Sequence, residues 1–209
     1  VSSGPTAALS RVGIFGGTFD PVHNAHLDIA RAALSSAALD VVYFVVSARP
    51  PHKRTEMHAS PEDRLDMVKA AVENEPRFQA SDVELKREGY SYTVDTLREY
   101  EQRHPGAELF LIIGYDSLLD LPHWRQPAEI VKRCKLLVVP RPRMHLSPPA
   151  ELRNLYELLP FKETELSSTE IRERAAAGKS ITGLVPPEVE RMILEKGIYQ
   201  HADRRQPAG

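Results

Sequence analysis

Apolar positions along this chain follow two rhythms. Short, nearly unbroken apolar runs occur at Arg11–Gly16, Val41–Ser47, Glu108–Gly114 and Lys135–Pro140, with a less continuous one at Phe78–Val83. Such runs suit strands buried on both faces of a parallel sheet. Between them, apolar residues recur every three or four positions over His23–Ser36, Pro61–Asn74, Thr93–Arg103 and Pro127–Arg133. That spacing predicts amphipathic helices. Ser60-Pro61 marks one helix start, with a capping hydroxyl and a proline at the first helical position.

The C-terminal part changes character. A helix is expected over Pro149–Leu159 and a short strand over Phe161–Glu165. Ser167 as N-cap with Glu170 three residues on forms a capping box that opens another helix, ended by Gly178. Pro186-Pro187 starts a last helix and Gly197 ends it. The alternation of β and α segments predicts an α/β class: a Rossmann-like open, mostly parallel sheet with helices on both faces and a small C-terminal helical extension packed on the sheet. Residues 11–200 read as one domain, with 1–10 and 201–209 as flexible tails.

Composition narrows the partners. Of 209 residues, 42% are apolar and 27% charged, enough apolar content for a buried core. Lysine plus arginine is 27 and aspartate plus glutamate 29, a net charge of −2. Bulk electrostatics therefore do not favour nucleic acid or a membrane surface, although a local basic pocket for a small anion is compatible. No apolar run approaches a membrane span, and residues 1–10 lack the pattern of a signal peptide. A single cysteine, Cys134, fits a reducing, cytoplasmic setting.

The chemistry concentrates in Gly16-Gly17-Thr18-Phe19-Asp20-Pro21-Val22-His23-Asn24-Ala25-His26, between the first strand and the first helix. Glycines let backbone approach a ligand, and a helix start offers unpaired N–H groups and a positive dipole end to phosphate. His23 and His26, three residues apart, share one face of the first turn. Such a pair binds metal, stabilises phosphate charge or moves protons. Neither a Walker pattern nor Gly-x-Gly-x-x-Gly is present. Ser167, Ser168 and Thr169 offer a second helix start to an anion, with Arg172 one turn on. An ordinary capping box with a surface arginine is the alternative. His52 and Lys53 sit on a proline-stiffened loop, and Arg141 and Arg143 follow the fifth strand. Trp124 is the only tryptophan, read either as a stacking face or as core.

The histidine turn resembles the signature of the His-x-Gly-His nucleotidyltransferases. Within them the chain is similar to the bacterial nicotinate-nucleotide adenylyltransferases. Pro50-Pro51-His52-Lys53, Tyr90-Ser91-Tyr92-Thr93, Ile113-Gly114-Tyr115-Asp116-Ser117-Leu118 with Trp124, and Leu166-Ser167-Ser168-Thr169-Glu170-Ile171-Arg172 resemble that family's later motifs, in its order. The resemblance implies transfer of the adenylyl group of ATP to nicotinate mononucleotide, giving deamido-NAD and pyrophosphate. It implies catalytic roles for His23, His26 and Arg172. It implies ATP contacts at Gly16, Gly17, Thr18, Phe19, Asp116, Ser167, Ser168 and Thr169, and acceptor contacts at Asp20, His52, Lys53, Thr93 and Trp124. Mg²⁺ is expected to arrive with ATP, on phosphate oxygens and water, with few or no protein ligands. A homo-oligomer is compatible. An enzyme preferring nicotinamide mononucleotide, or an inactive nucleotide-binding regulator, are the alternative readings. Ala25 departs from the family's glycine, which implies a shifted backbone contact.

Overall fold

The computed structural model describes residues 9–49, 57–140, 154–161 and 165–200. Six strands form one sheet in the order β3-β2-β1-β4-β5-β6. They are β1 (Arg11–Gly17), β2 (Val41–Val46), β3 (Phe78–Ser81), β4 (Glu108–Gly114), β5 (Cys134–Val139) and β6 (Tyr156–Leu158). All described pairings are parallel. The order reverses direction between β1 and β4, which leaves a crevice beyond their carboxyl ends, where such sheets take ligands.

Continuous apolar runs are what a sheet covered on both faces requires. Helices α1 (Asn24–Ser36), α2 (Pro61–Val72), α6 (Ser168–Ala176) and α7 (Pro187–Glu195) contribute to the core on one face, where Val42, Phe44 and Val46 point. On the other face, α3 (Thr93–Arg103), α4 (Tyr115–Asp120) and α5 (Pro127–Arg133) cover Val41, Val45, Leu109 and Leu111. The alternation of successive strand residues between the two cores is the period-two signature of a strand. Ser60 caps α2 by accepting from the Asp63 N–H at 3.0 Å, as its position before Pro61 predicts.

Two expectations need correction. The stretch 154–159 is not helical: Tyr156–Leu158 adds a sixth strand beside β5, and the Leu159 N–H donates to Val138 carbonyl oxygen at 2.9 Å. The open edge of β5 offers unpaired backbone groups, and satisfying them outweighs the helix propensity of this leucine- and glutamate-rich segment. Of the strand expected over Phe161–Glu165, Phe161 and Glu165 lie outside any strand and 162–164 are outside the described residues. The last helix packs against α2, where Lys196 Nζ meets Asp63 Oδ1 at 2.7 Å, and its Val189 and Ile193 join the core on that face of the sheet. Helix α4 and the 3-10 turn Leu121–His123, neither expected, follow β4 without a break and carry the chain over the crevice to Trp124.

Candidate active site

The glycine turn is shaped by its neighbours more than by its glycines. A side chain at Gly16 would meet nothing within 4 Å, because that position faces the open crevice. At Gly17 a Cβ would lie 2.9 Å from the Phe19 ring. Phe19 has φ +49 and is 2% exposed, held edge-on by Phe15 and His26. Core packing thus offsets the cost of the left-handed backbone at Phe19. Beneath the turn, Arg64 of α2 is fully buried, and its Nη1 donates to the carbonyls of Thr18 at 2.7 Å and Ser47 at 2.8 Å. One guanidinium therefore pins the ends of β1 and β2 together.

Asp20 is 4% exposed and already committed. Its carboxylate accepts the His58 N–H at 2.8 Å, the Ala59 N–H at 3.2 Å and the Tyr199 hydroxyl at 2.7 Å. Burial, then the Asp20 charge, push the Tyr199 phenol above its ordinary range, so it stays a donor. The turn is thereby tied to the segment before α2 and to the far C-terminal end of the described chain.

His23 occupies the N-cap of α1 and His26 the third helical position. The His23 N–H donates to His26 Nδ1 at 3.2 Å. That bond leaves the proton of a neutral His26 on Nε2 and gives the ring a defined orientation. The two rings stack at 3.7 Å between centroids. His23 is 5% exposed, and burial lowers its pKa from 6.5 to about 4. Near neutral pH it is an uncharged imidazole, ready to gain charge only when an anion arrives. No acidic residue occupies the first turn of α1, so nothing there opposes an anion.

The start of α6 supplies the facing wall. Ser167 caps it by accepting from the Glu170 N–H at 3.2 Å. Ser168 Oγ donates to the Pro21 carbonyl at 2.9 Å, and Arg172 Nη1 donates to the Asp20 carbonyl at 2.8 Å. Arg172 Nη2 also donates to Thr169 Oγ1 at 3.1 Å. Two helix starts and an arginine therefore converge on one short turn.

Two cavities open there. The larger, about 820 Å³, is lined by Gly16, Gly17, Thr18, Phe19, His23, His26, Ser167, Ser168, Thr169 and Arg172. All the residues expected on the ATP side except Asp116 thus come together in one space. Ala25, 5% exposed, lines it too. The smaller, about 380 Å³, is lined by Thr93, Trp124 and Asp116 among others. Both share Phe15, Gly16, Gly17, Thr18, Gly114 and Ser117. Asp116 lines the smaller cavity and Asp20 the larger. His52, Lys53, Arg141 and Arg143 lie outside the described residues.

The rim of the smaller cavity is held by charge pairs. Thr93 is the first residue of α3, whose N-cap Tyr92 provides no side-chain cap. Trp124 Nε1 donates to Asp120 Oδ2 at 3.1 Å, fixing the indole at the mouth. Behind Thr93, Thr96 Oγ1 donates to the buried Glu84 carboxylate at 2.7 Å and accepts from Arg87 at 2.5 Å. Sequence reasoning did not single out Arg64, Tyr199 or Arg125. Ser117 lies within the quoted Ile113–Leu118 motif, where it is given no role of its own. The others carry no local signal.

Residues 14–174 match the cytidylyltransferase-like family. The chain is 40% identical over 192 residues to the nicotinate-nucleotide adenylyltransferase of Bacillus subtilis (strain 168), spanning 92% of this chain and all of that protein (100%). It is 44% identical over 191 residues to a probable nicotinate-nucleotide adenylyltransferase of Shouchella clausii, spanning 91% and 97% of the two. Among solved structures, the nicotinic acid mononucleotide adenylyltransferase of Plasmodium falciparum complexed with NaAD superposes with a TM-score of 0.75 at 18% identity. The match covers 91% of this chain and 98% of that one, a likeness of fold.

Proposed function

The chain belongs to the nicotinate-nucleotide adenylyltransferases of the cytidylyltransferase-like family, and from that premise we propose how its two cavities divide the work. The larger takes ATP and the smaller takes nicotinate mononucleotide. The products are deamido-NAD and pyrophosphate, a step of NAD biosynthesis. The observation that carries this reading is the shared wall: both spaces open onto Gly16, Gly17 and Thr18, so a donor and an acceptor phosphate can meet over one glycine turn.

An oxygen of the acceptor phosphate attacks the α-phosphorus of ATP. A new oxygen–phosphorus bond forms as the bond to the β-phosphate oxygen breaks, and pyrophosphate leaves with its electron pair. No covalent enzyme intermediate is required, so catalysis is alignment plus charge stabilisation. His26 Nε2 and the N–H groups at the start of α1 donate to the phosphates. His23 gains charge as phosphate replaces the solvent that burial removed. Arg172 and the start of α6, with Ser167, Ser168 and Thr169, hold the leaving pyrophosphate from the opposite wall. Mg²⁺ would arrive with ATP and would neutralise phosphate charge with few or no protein ligands; among the described residues no group of three or more His, Cys, Asp or Glu is placed to hold it. The donor set of the larger cavity, mostly N–H, hydroxyl and guanidinium, suits phosphate oxygens.

In the smaller cavity, Trp124 stacks on the pyridine ring. N–H groups at the start of α3, near Thr93, receive its carboxylate, and Asp116 accepts from a ribose hydroxyl. A carboxamide would present its own N–H donors there and leave these groups unpaired. His52 and Lys53, outside the described residues, are assigned to the acceptor by the family resemblance alone. The buried lone thiol of Cys134, its pKa pushed up to about 12, is suited to a reducing cytoplasm. Among the described residues no helix is long and apolar enough to cross a membrane.

Pyrophosphate release with Mg²⁺–ATP, compared for the acid and amide mononucleotides, tests the proposal. Faster turnover of the acid is expected. No release with either ends the enzymatic reading, and faster turnover of the amide reverses the substrate assignment.

A further inference from the structure

We infer that Arg125 is a specificity-determining residue of the smaller cavity, which favours an acceptor carrying a carboxylate on its ring over one carrying a carboxamide. The inference rests on the assignment of the pyridine nucleotide to that cavity. Three carboxylates, Glu84, Asp116 and Asp120, line the space, and Arg125 is the only cation among the described residues lining it. Without Arg125 the charged side chains among the described lining residues would all be acidic, a poor setting for an acceptor that is itself anionic.

The placement of Arg125 is as informative as its charge. Its guanidinium carbon lies 4.6 Å over the ring of Tyr92, the residue before Thr93. It therefore stands at the start of α3, beside the N–H groups that would face a carboxylate. Its acidic neighbour holds it loosely. Nη1 is 3.7 Å from Asp95 Oδ2, while Asp95 Oδ1 accepts from Arg98 at 2.9 Å. Arg98 in turn donates to Gln126 at 2.6 Å, so the residue after Arg125 is anchored while the Arg125 head is not. The side chain is 50% exposed, with room to reorient towards a ligand. A weakly paired guanidinium on an aromatic platform is suited to a planar anion, which it meets through two parallel N–H donors. A carboxamide carries no net charge, so this contact separates the two acceptors.

The test is the ratio of kcat/KM for the acid over the amide mononucleotide, measured in wild type, Arg125→Gln and Arg125→Lys. A charge-assisted contact at a half-open site predicts about a tenfold fall of that ratio in Arg125→Gln. Arg125→Lys should recover most of it, since the charge is kept. Rising salt should lower the wild-type ratio towards that of Arg125→Gln. Two results overturn the inference: an unchanged ratio while both rates fall together, which marks Arg125 as a rim scaffold only, or an Arg125→Lys ratio no better than that of Arg125→Gln. A wild type that favours the amide, yet loses relative acid turnover in Arg125→Gln, would overturn the substrate assignment and leave the role of Arg125 standing.

Discussion

The two cavities meet at one turn but are built by opposite means. The larger stands on buried and part-buried bonds that reach across the whole chain: Asp20 to Tyr199, Arg64 to the ends of β1 and β2, Arg172 and Ser168 to the turn. The smaller has a rim of half-exposed ion pairs, Arg98 with Asp95 and Arg125 with Asp95. Buried, hydrogen-bonded polar groups define a geometry firmly and are costly to disturb. Half-exposed pairs contribute little stability and leave side chains free to answer a ligand. The phosphate side is thus preorganised for chemistry, and the acceptor side is open to adjustment of selectivity.

Mutations can break or sharpen this contrast. The largest effect is expected at His26→Ala, where loss of a preorganised donor should lower kcat about a hundredfold or more while a cooperative thermal transition persists. Steady-state kinetics alongside calorimetry checks both halves. Next comes acid sensitivity. Because burial holds His23 at a pKa of about 4, below its ordinary 6.5, the unfolded chain takes up a proton that the folded one refuses between those values. Stability from this group is therefore fully present above pH 6.5, and about 3 kcal/mol is lost as pH falls towards 4. Urea unfolding across that window should show the slope, and His23→Gln should flatten it. Tyr199→Phe removes one donor from the buried Asp20 carboxylate and should cost about 1–3 kcal/mol. Its denaturation midpoint measures this at a residue 179 positions from its partner. On the exposed rim, Asp95→Asn should change stability by less than about 1 kcal/mol, read from the same unfolding curves. Equal costs at Tyr199 and Asp95 would erase the contrast.

What was legible in the sequence follows the same division. Strands, main helices and caps came from local rules, because apolar period and capping residues act within a few positions. The histidine turn and the serine–arginine helix start were legible for the same reason: the residue types that face an anion sit side by side in the chain. The links that fix them were not. Nothing near Tyr199 points to Asp20, and Arg64 reads as one more charge on an amphipathic helix. For Asp116, the sequence position names a strand end but not which side of the crevice α4 turns to. The misread 154–159 segment failed where pairing with a sheet edge outweighs helix propensity.

Trp124 offers the most direct test of the central claim, that one cavity takes the donor and the other the acceptor. It is the only tryptophan in the chain and lines only the smaller cavity, so its fluorescence reports that space alone. Titration with nicotinate mononucleotide should quench it to saturation, while a non-hydrolysable Mg²⁺–ATP analogue added alone should leave it nearly unchanged. Strong quenching by the ATP analogue alone, or none by the mononucleotide, would contradict the division of the site.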